Sequence, residues 1–469
     1  MAVCTQEVKN NVRESGLTDS RRQTGSAEKL GDGAAQGSST MSVSSLPDNG
    51  FGGADGQNFR TMGRWDTVSL LMTNQVGLGV LSLPSVLKVL GIVPGVLAII
   101  GIGCLSWYTA FELVQFYGHH QHVLNIADMA RVVGGRKFAI VAGIGFLIQT
   151  IMTATSVVVA LSVAGDVLSS HSVSTIVFMA IGCLCCWLLC VPRTAKFVSW
   201  TGIPCCISII TATLLVIIGL ILENPTDAPD PWKKNLVIFA KPTFRDGLNA
   251  CLKICYAYSS NINFVSYMPE MIDPMRDSNF ALVWLEIASI SFYTMAAVAV
   301  YCLAGEYTVS PALGSASSRI AQIAYGIVLP SILSKGLSFG HAGIKYLYVQ
   351  IMTYFKITHE MTAPTTRSWS IWMTIVTGFW VVCFVLSMAI PDFDSILSIT
   401  SATTIAWFTF GFSAILWFHL NWSIKTSSGQ NTFLASVNAC LIIISLFMNG
   451  GGLWSSISEL IDATTERSK

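Results

Sequence analysis

The stretch TNQVGLGVLSLP at residues 73–84 decides how this chain folds, because it places polar residues and glycines in the middle of an apolar segment. A second apolar segment is interrupted in the same way by YAYSSNINF at 256–264. Irregular backbone at membrane depth is tolerated only where it is buried in protein or lines a cavity. Two such interruptions, one in each half of the chain, are typical of secondary transporters that bind their ligand at broken helices.

Composition places most of the chain in a lipid bilayer. Hydrophobic residues make up 52% of the 469 residues and charged residues 11%, against about 25% charged residues in soluble domains. About 20 apolar residues cross the roughly 30 Å hydrocarbon core. These lengths predict an all-α membrane protein with eleven transmembrane helices, at 66–88, 92–117, 137–165, 173–192, 197–222, 247–269, 281–304, 319–353, 369–390, 395–420 and 432–454.

The positions of the two interruptions predict an inverted repeat of five and five helices. Helices 1 and 6, the first of each half, are then the broken ones. The residues before the first helix are rich in Gly, Ser, Asp and Asn, which predicts a disordered cytoplasmic tail. The chain therefore divides into this tail at 1–62, a transporter domain at 63–454 (repeat one about 66–222, repeat two about 247–420, an extra helix at 432–454) and a C-terminal tail at 455–469.

The placement of lysine and arginine predicts the orientation in the membrane. The loops on one side hold Arg64, Arg131, Arg136, Arg193 and Arg367, whereas the basic residues of the opposite loop at 223–246 are offset by acidic ones. The N-terminus is therefore expected in the cytoplasm and, after eleven crossings, the C-terminus outside. The plasma membrane is the expected location, with the vacuolar membrane as the alternative.

The first interruption has the chemistry of a zwitterion site. Gly77 and Gly79 let the chain leave helical geometry at low steric cost, and Pro84 suits the first turn of a new half-helix. The free N–H groups of that half-helix suit a carboxylate, while the carbonyls around Thr73 and Asn74 suit an ammonium. An α-amino acid carries both groups on one carbon. Alternatively, the two glycines only permit close helix packing, as small residues do in membranes.

The second interruption has no glycine and depends on hydrogen-bonding side chains. Ser259, Ser260 and Asn261 can bond to nearby backbone in place of the helix ladder, or face a wet cavity. Tyr258, on the aromatic flank, is expected to close over a bound side chain. The alternative is that these polar residues only join neighbouring helices, through hydrogen bonds worth about 0.6 kcal/mol each in a membrane.

Three motifs carry a resemblance to a known family. NQVGLGVLSLP at 74–84, YAYSSNINFVSYMPEM at 256–271 and GIVLPSILSKGLSFGHAGIKYLYVQIM at 326–352 resemble the amino acid/auxin permease family, and within it the fungal neutral amino acid permeases. The resemblance covers roughly residues 64–454 and implies a leucine-transporter fold that carries neutral amino acids, usually driven by protons. A sodium-coupled carrier and an amino acid sensor on the same fold are the alternatives. The substrate residues that it implies are Asn74, Gly77, Gly79, Ser259, Ser260 and Asn261.

Lys335 is the residue least expected from this resemblance. It lies 16 residues into its predicted span, about 24 Å deep at 1.5 Å per residue. The fold implied by the resemblance holds a sodium ion between helices 1 and 8, and an ammonium at Lys335 would replace that ion by a titratable charge. Alternatively, Lys335 snorkels to the interface or pairs with Glu286. Gln149 and Thr153 either touch the substrate side chain or join helices.

The sequence carries no pattern for an enzyme, a metal or a cofactor. The seven histidines are scattered, and Cys183, Cys185, Cys186 and Cys190 have no histidine or carboxylate nearby. Basic residues are not interleaved with aromatic ones, so no nucleic acid is expected to bind, and no filter-like motif indicates a channel. The expected partners are a small neutral amino acid, a coupling proton and the lipid bilayer.

The predicted orientation is testable with terminal tags. A tag before residue 1 should be shielded from antibody in intact cells, and a tag after residue 469 should be accessible, because an odd number of crossings separates them. Labelling of intact and permeabilised cells measures this. Both tags on one side would contradict the count of eleven.

Overall fold

The computed structural model describes residues 62–467, except 171, 194–200, 227, 230–231, 358–359, 362–364 and 424. The predicted N-terminal tail, apart from Met62, and the first residues of the fifth predicted span lie outside the described residues. The described chain is helical, with one isolated bridge between Met62 and Met271 as its only β pairing. Its α-helices are α1 (Arg64–Gln75), α2 (Leu83–Leu90), α3 (Ile92–His119), α4 (Ile126–Leu168), α5 (Thr175–Cys190), α6 (Gly202–Leu222), α7 (Phe244–Ala257), α8 (Asn261–Tyr267), α9 (Pro274–Ala304), α10 (Ser318–Tyr354), α11 (Thr366–Ala389), α12 (Phe393–Thr400), α13 (Phe412–Asn421) and α14 (Gly429–Arg467).

Eight helical segments of the described chain are long and apolar enough to cross a membrane. They are α3, α4, α6, α9, α10, α11, the continuous run from α12 through two π-helical turns to α13, and α14. The pair α1 and α2, bent by 40°, makes a ninth. Helix α5 has 16 residues, about 24 Å at 1.5 Å per residue, and α7 and α8 are each shorter. The count of eleven and the inverted repeat therefore stay predictions.

The first predicted interruption is present in the structure. Helix α1 ends at Gln75, and Val76 turns into an extended conformation with φ −81° and ψ 101°. After Gly77 the chain forms a 3₁₀ turn over Leu78–Ser82, and α2 follows with Pro84 in its first turn. Proline is well placed there, because the first N–H groups of a helix have no partner within the helix. The loss of helix is thus local, at residues 76–77.

The second interruption is also present and is shorter. Helix α7 ends at Ala257 and α8 begins at Asn261, so three residues separate the two half-helices. Tyr258 leaves the helical conformation with φ −103° and ψ 33°.

The two interruptions touch each other. A Cβ built on Gly79 would lie 2.5 Å from the Cα of Ala257 and 2.8 Å from its Cβ, distances that no packing tolerates. Gly79 therefore serves close packing, the alternative raised from the sequence. Gly77 is different. A Cβ built on Gly77 would lie nearest to the side chain of Lys335, 3.1 Å from its Cδ atom.

The C-terminal segment differs from the sequence prediction. Helix α14 does not end near residue 454 but continues to Arg467. Its polar residues are held by α7: Asn249 donates to Glu459 Oε2 at 2.6 Å, and Ser455 donates to Asn249 Oδ1 at 2.7 Å. These contacts extend the helix past the apolar stretch that set the predicted boundary.

The contact between the interruptions predicts a large penalty for a side chain at residue 79. Gly79→Ala should lower the melting temperature of the detergent-purified protein, because over-packing typically costs about 1–3 kcal/mol. Gly378→Ala is the matched control, as nothing lies within 4 Å of its added Cβ. Equal melting temperatures for the two variants would contradict the packing.

Candidate substrate site

Helix α9 holds both interruptions through one hydroxyl. The Oη atom of Tyr293 lies 2.8 Å from the carbonyl oxygen of Gln75 and 3.0 Å from that of Ala257. These are the last carbonyls of α1 and α7, which have no N–H partner in their own helices. Tyr293 is fully buried, and its single proton is shared between the two oxygens. The relative position of the two interruptions is therefore fixed by α9.

Asn74 joins three helices. Its Nδ2 atom donates to Leu70 O at 2.9 Å and to Tyr267 Oη at 3.3 Å, while its Oδ1 atom accepts from Ser338 Oγ at 2.8 Å and from Asn263 Nδ2 at 3.2 Å. These partners lie on α1, α8 and α10. The side chain thus acts as a joint, which leaves only the backbone of Asn74 for a ligand.

Thr73 is placed in the same way. Its hydroxyl donates to Ser69 O, one turn back in α1, at 2.9 Å. The hydroxyl proton is thus used within α1, and the backbone carbonyl keeps the role predicted from the sequence as a proposal.

Most predicted residues of the second interruption also form hydrogen bonds with neighbouring helices. Tyr258 Oη donates to Ile99 O of α3 at 3.2 Å, and Asn261 Nδ2 donates to α3 at Ser106 O, also at 3.2 Å. Ser260 Oγ donates to Gln75 Oε1 at 2.5 Å. Ser259 differs, because its hydroxyl is buried and has no hydrogen-bond partner. Among the four residues predicted here, Ser259 is the one whose side chain makes no hydrogen bond.

Lys335 lies at the first interruption. Its side chain is fully buried and its Nζ atom has no hydrogen-bond partner. The Nζ atom lies 4.8 Å from the ring centroid of Tyr256 and 3.9 Å from a Cβ built on Gly77. The side chain does not snorkel, and within the described residues Glu286 bonds Gln75 rather than Lys335. Lys335 therefore fits neither of the two alternatives raised from the sequence, snorkelling to the interface or an ion pair with Glu286.

Two further buried polar groups lie on α4. Gln149 and Thr153 of α4 are fully buried, and their side-chain polar atoms have no partner. One turn after Thr153, Ser156 Oγ lies 2.5 Å from Tyr256 Oη, so this face of α4 points at α7 near Lys335. Buried polar atoms nearly always have a partner. Unpartnered buried groups of this kind are typical of a site that binds a polar ligand or water.

Sequence reasoning missed the hydroxyls of the tenth predicted helix. Ser398 and Ser401 are fully buried and their Oγ atoms have no partner. They lie where α12 passes into a π-helical turn, and α12 packs against α4 and α7. The run SILSITSATT at 395–404 carries the signal, because it concentrates hydroxyls in an apolar span.

A polar cluster lies on α7, about one turn before the helix ends at Ala257. Lys253 Nζ donates to Asp394 Oδ2 at 2.6 Å, and Ser310 Oγ donates to Asp394 Oδ1 at 2.5 Å. A cavity of about 100 Å³ lies beside this pair, between α2, α7 and α14, and Lys253 and Glu459 line it. Lys253 is thus an ion-paired residue that ties α7 to α12.

The amino-acid sequence matches known transporters along most of its length. Residues 60–458 match the sequence model of the family described as transmembrane amino acid transporter protein. The N amino acid transport system protein of Neurospora crassa is 28% identical over 414 residues, 86% of each chain. A transmembrane transporter of Fusarium pseudograminearum is 26% identical over 413 residues, 87% of this chain and 86% of the relative.

Solved structures share the fold at low identity. A Na⁺-coupled sialic acid symporter in a substrate-bound, outward-open state aligns with TM-score 0.54 and 10% identity, over 83% of this chain and 90% of that one. Mhp1, a nucleobase-cation-symport-1 family transporter in a closed conformation, aligns with TM-score 0.51 and 14% identity, over 87% of this chain and 92% of that one. The helical arrangement is therefore that of membrane symporters.

The role of Tyr293 gives a testable prediction. Tyr293→Phe leaves two buried carbonyls without a donor, which should cost about 1–3 kcal/mol and lower the melting temperature in detergent. Tyr354→Phe is the control, because that residue is 82% exposed. An unchanged melting temperature in Tyr293→Phe would mean that α9 does not hold the interruptions.

Proposed function

Because the chain belongs to the transmembrane amino acid transporter protein family, whose sequence model matches residues 60–458, we propose that it carries neutral amino acids across the membrane by proton-coupled symport. The observation that carries this proposal is Lys335, a buried ammonium group without a hydrogen-bond partner at the first interruption. It combines a charge that can be gained or lost with a position beside the backbone that would hold the substrate.

The substrate is proposed to lie between the two interruptions. Its carboxylate would accept from the free N–H groups that follow Gly77, and its ammonium would donate to the carbonyls around Thr73 and Asn74. The hydroxyl of Ser259 is the side chain of the second interruption that has no other partner. Of the remaining predicted contacts, Tyr258, Ser260 and Asn261 would position the backbone, and Gly79 would let the two interruptions approach.

The preference for a neutral side chain is supported by the uncharged polar groups near this space. Gln149 and Thr153 of α4 and Ser398 and Ser401 of α12 offer unpartnered polar atoms without charge. Uncharged donors and acceptors match a small polar or apolar side chain, whereas a charged side chain would find no opposite charge among these four groups.

Coupling is proposed to run through Lys335. Taking an ammonium out of water costs several kcal/mol, and the ring of Tyr256 returns about 2 kcal/mol through its π face. The charged form therefore depends on further contacts, such as those with a substrate carboxylate at Gly77. Substrate and proton then favour each other's binding, which is the requirement for symport.

The proposed architecture has eleven crossings with a five-plus-five inverted repeat, a cytoplasmic N-terminus and a location in the plasma membrane. The nine candidate spans among the described residues and the likeness to membrane symporters support it. The two interrupted helices, which touch at Gly79 and Ala257, support a ligand at the centre of the repeat.

Uptake into proteoliposomes tests the proposal. Purified protein should accumulate radiolabelled neutral amino acids when the outside is acidic, and replacing sodium by choline should leave uptake unchanged. Acidic and basic amino acids should compete weakly. Sodium dependence would reject proton coupling, and binding without uptake would indicate a sensor.

Variants of Lys335 test its role. Lys335→Ala should abolish or uncouple uptake, and Lys335→Arg should not restore the pH dependence, because arginine does not titrate. Lys345→Ala is the matched control in the same helix, since Lys345 faces Glu270 at 3.7 Å in a half-exposed pair. Normal pH dependence in Lys335→Ala would assign coupling to another group.

A further inference from the structure

We propose that Glu286 is a proton-binding site whose state is transmitted through the Gln75 side-chain amide to Ser260 at the second interruption. The inference rests on the proposed transport function but not on Lys335 as the coupling group. It follows from an unbroken line of buried hydrogen bonds that runs from α9 through the end of α1 to the start of α8.

The line has three members. Gln75 Nε2 donates to Glu286 Oε2 at 3.2 Å, and Gln75 Oε1 accepts from Ser260 Oγ at 2.5 Å. Glu286 and Gln75 have no exposed surface, and Ser260 is 1% exposed. Each half of the Gln75 amide therefore faces one partner, and neither contact is exposed to bulk solvent.

The carboxyl group of Glu286 is incompletely satisfied. Its Oε1 atom is buried without a hydrogen-bond partner, and the described residues place no lysine, arginine or histidine in an ion pair with it. The titratable groups that face it are the hydroxyls of Tyr258, at the second interruption, and Tyr293, on its own helix. Ionised Glu286 accepts one hydrogen bond, from Gln75 at Oε2. Its Oε1 atom has no partner and is therefore available to bind a proton.

The orientation of the Gln75 side-chain amide depends on whether Glu286 is protonated. A carboxylate only accepts hydrogen bonds, so ionised Glu286 selects the Gln75 orientation with Nε2 towards it. The Oε1 atom then faces Ser260 and receives its hydroxyl proton. When one proton binds, the carboxylate becomes a neutral acid that can donate, and the opposite amide orientation becomes available. Nε2 then faces Ser260, whose hydroxyl must accept instead of donate.

This exchange acts on the transport path because of where Ser260 lies. It precedes the first residue of α8 and follows Ser259, whose hydroxyl is open. The backbone carbonyl of Gln75 also receives the Tyr293 hydroxyl at 2.8 Å. The protonation state of Glu286 therefore biases the two interruptions together, and substrate bound between them must bias Glu286 in return.

Infrared difference spectroscopy of the reconstituted wild-type protein tests the site. Acidification should produce absorption of protonated carboxyl groups, and the component that belongs to Glu286 should be missing in Glu286→Gln and displaced in Glu286→Asp. Glu112→Gln is the matched control, because Glu112 is also a buried carboxyl of a membrane helix, 2% exposed. Glu112→Gln should keep the component that Glu286→Gln loses.

The link to the second interruption is tested on the same samples. Adding a neutral amino acid at constant pH should change the Glu286 band in the wild type. In Ser260→Ala the acid-induced band should persist, while the change on amino acid addition should fall at least threefold.

Three results would overturn the inference. They are a Glu286 component that does not respond to pH, an acid-induced carboxyl spectrum that is the same in the wild type and in Glu286→Gln, and an undiminished response to amino acid in Ser260→Ala. If no neutral amino acid binds to the wild type, the proposed substrate is wrong, and Glu286 as a proton site is still decided by its acid-induced band.

Discussion

The fold depends on what happens to backbone carbonyls where a helix stops inside the hydrocarbon. No lipid can hydrogen-bond them, and each orphan costs several kcal/mol. The carbonyls of Gln75 and Ala257 share the hydroxyl of Tyr293. Because one group serves both, α1 and α7 must end side by side, and the close approach of Gly79 to Ala257 follows. The region between the two interruptions is thus defined by backbone, and the side chains around it bond to each other.

This frame explains why the sequence predicted where the helices break but not what the residues at the breaks do. Gly77, Pro84 and the serines at 259–260 act locally, so their effect on the backbone can be read from neighbours in the chain. Asn74 was predicted from the same local pattern, yet its partner Asn263 lies 189 residues away. A polar residue in a membrane helix has the same appearance in sequence whether it holds a neighbour or a ligand. Only the three-dimensional packing separates Ser259 from Ser260.

Lys335 is a residue whose surroundings come from distant parts of the chain. Its place inside an apolar segment is visible in the sequence, but its surroundings are not. The structure places a tyrosine face, rather than a carboxylate, 4.8 Å from its ammonium group, and it leaves Glu286 to Gln75. The two buried charges at the centre of the protein are therefore handled separately, each next to a different part of the first interruption. Fold neighbours at 10–14% identity do not bear on this arrangement.

The continuation of α14 past the apolar stretch has a kinetic consequence. Its polar end grips α7 through Asn249, Ser455 and Glu459, and Arg245 forms an ion pair with Asp462. Any movement of α7 away from α14 would have to break these contacts together. At about 1 kcal/mol for each of the two hydrogen bonds of Asn249, their loss would slow such a movement roughly thirtyfold. The last helix would then limit any step of transport in which α7 moves, although the substrate is not proposed to bind there.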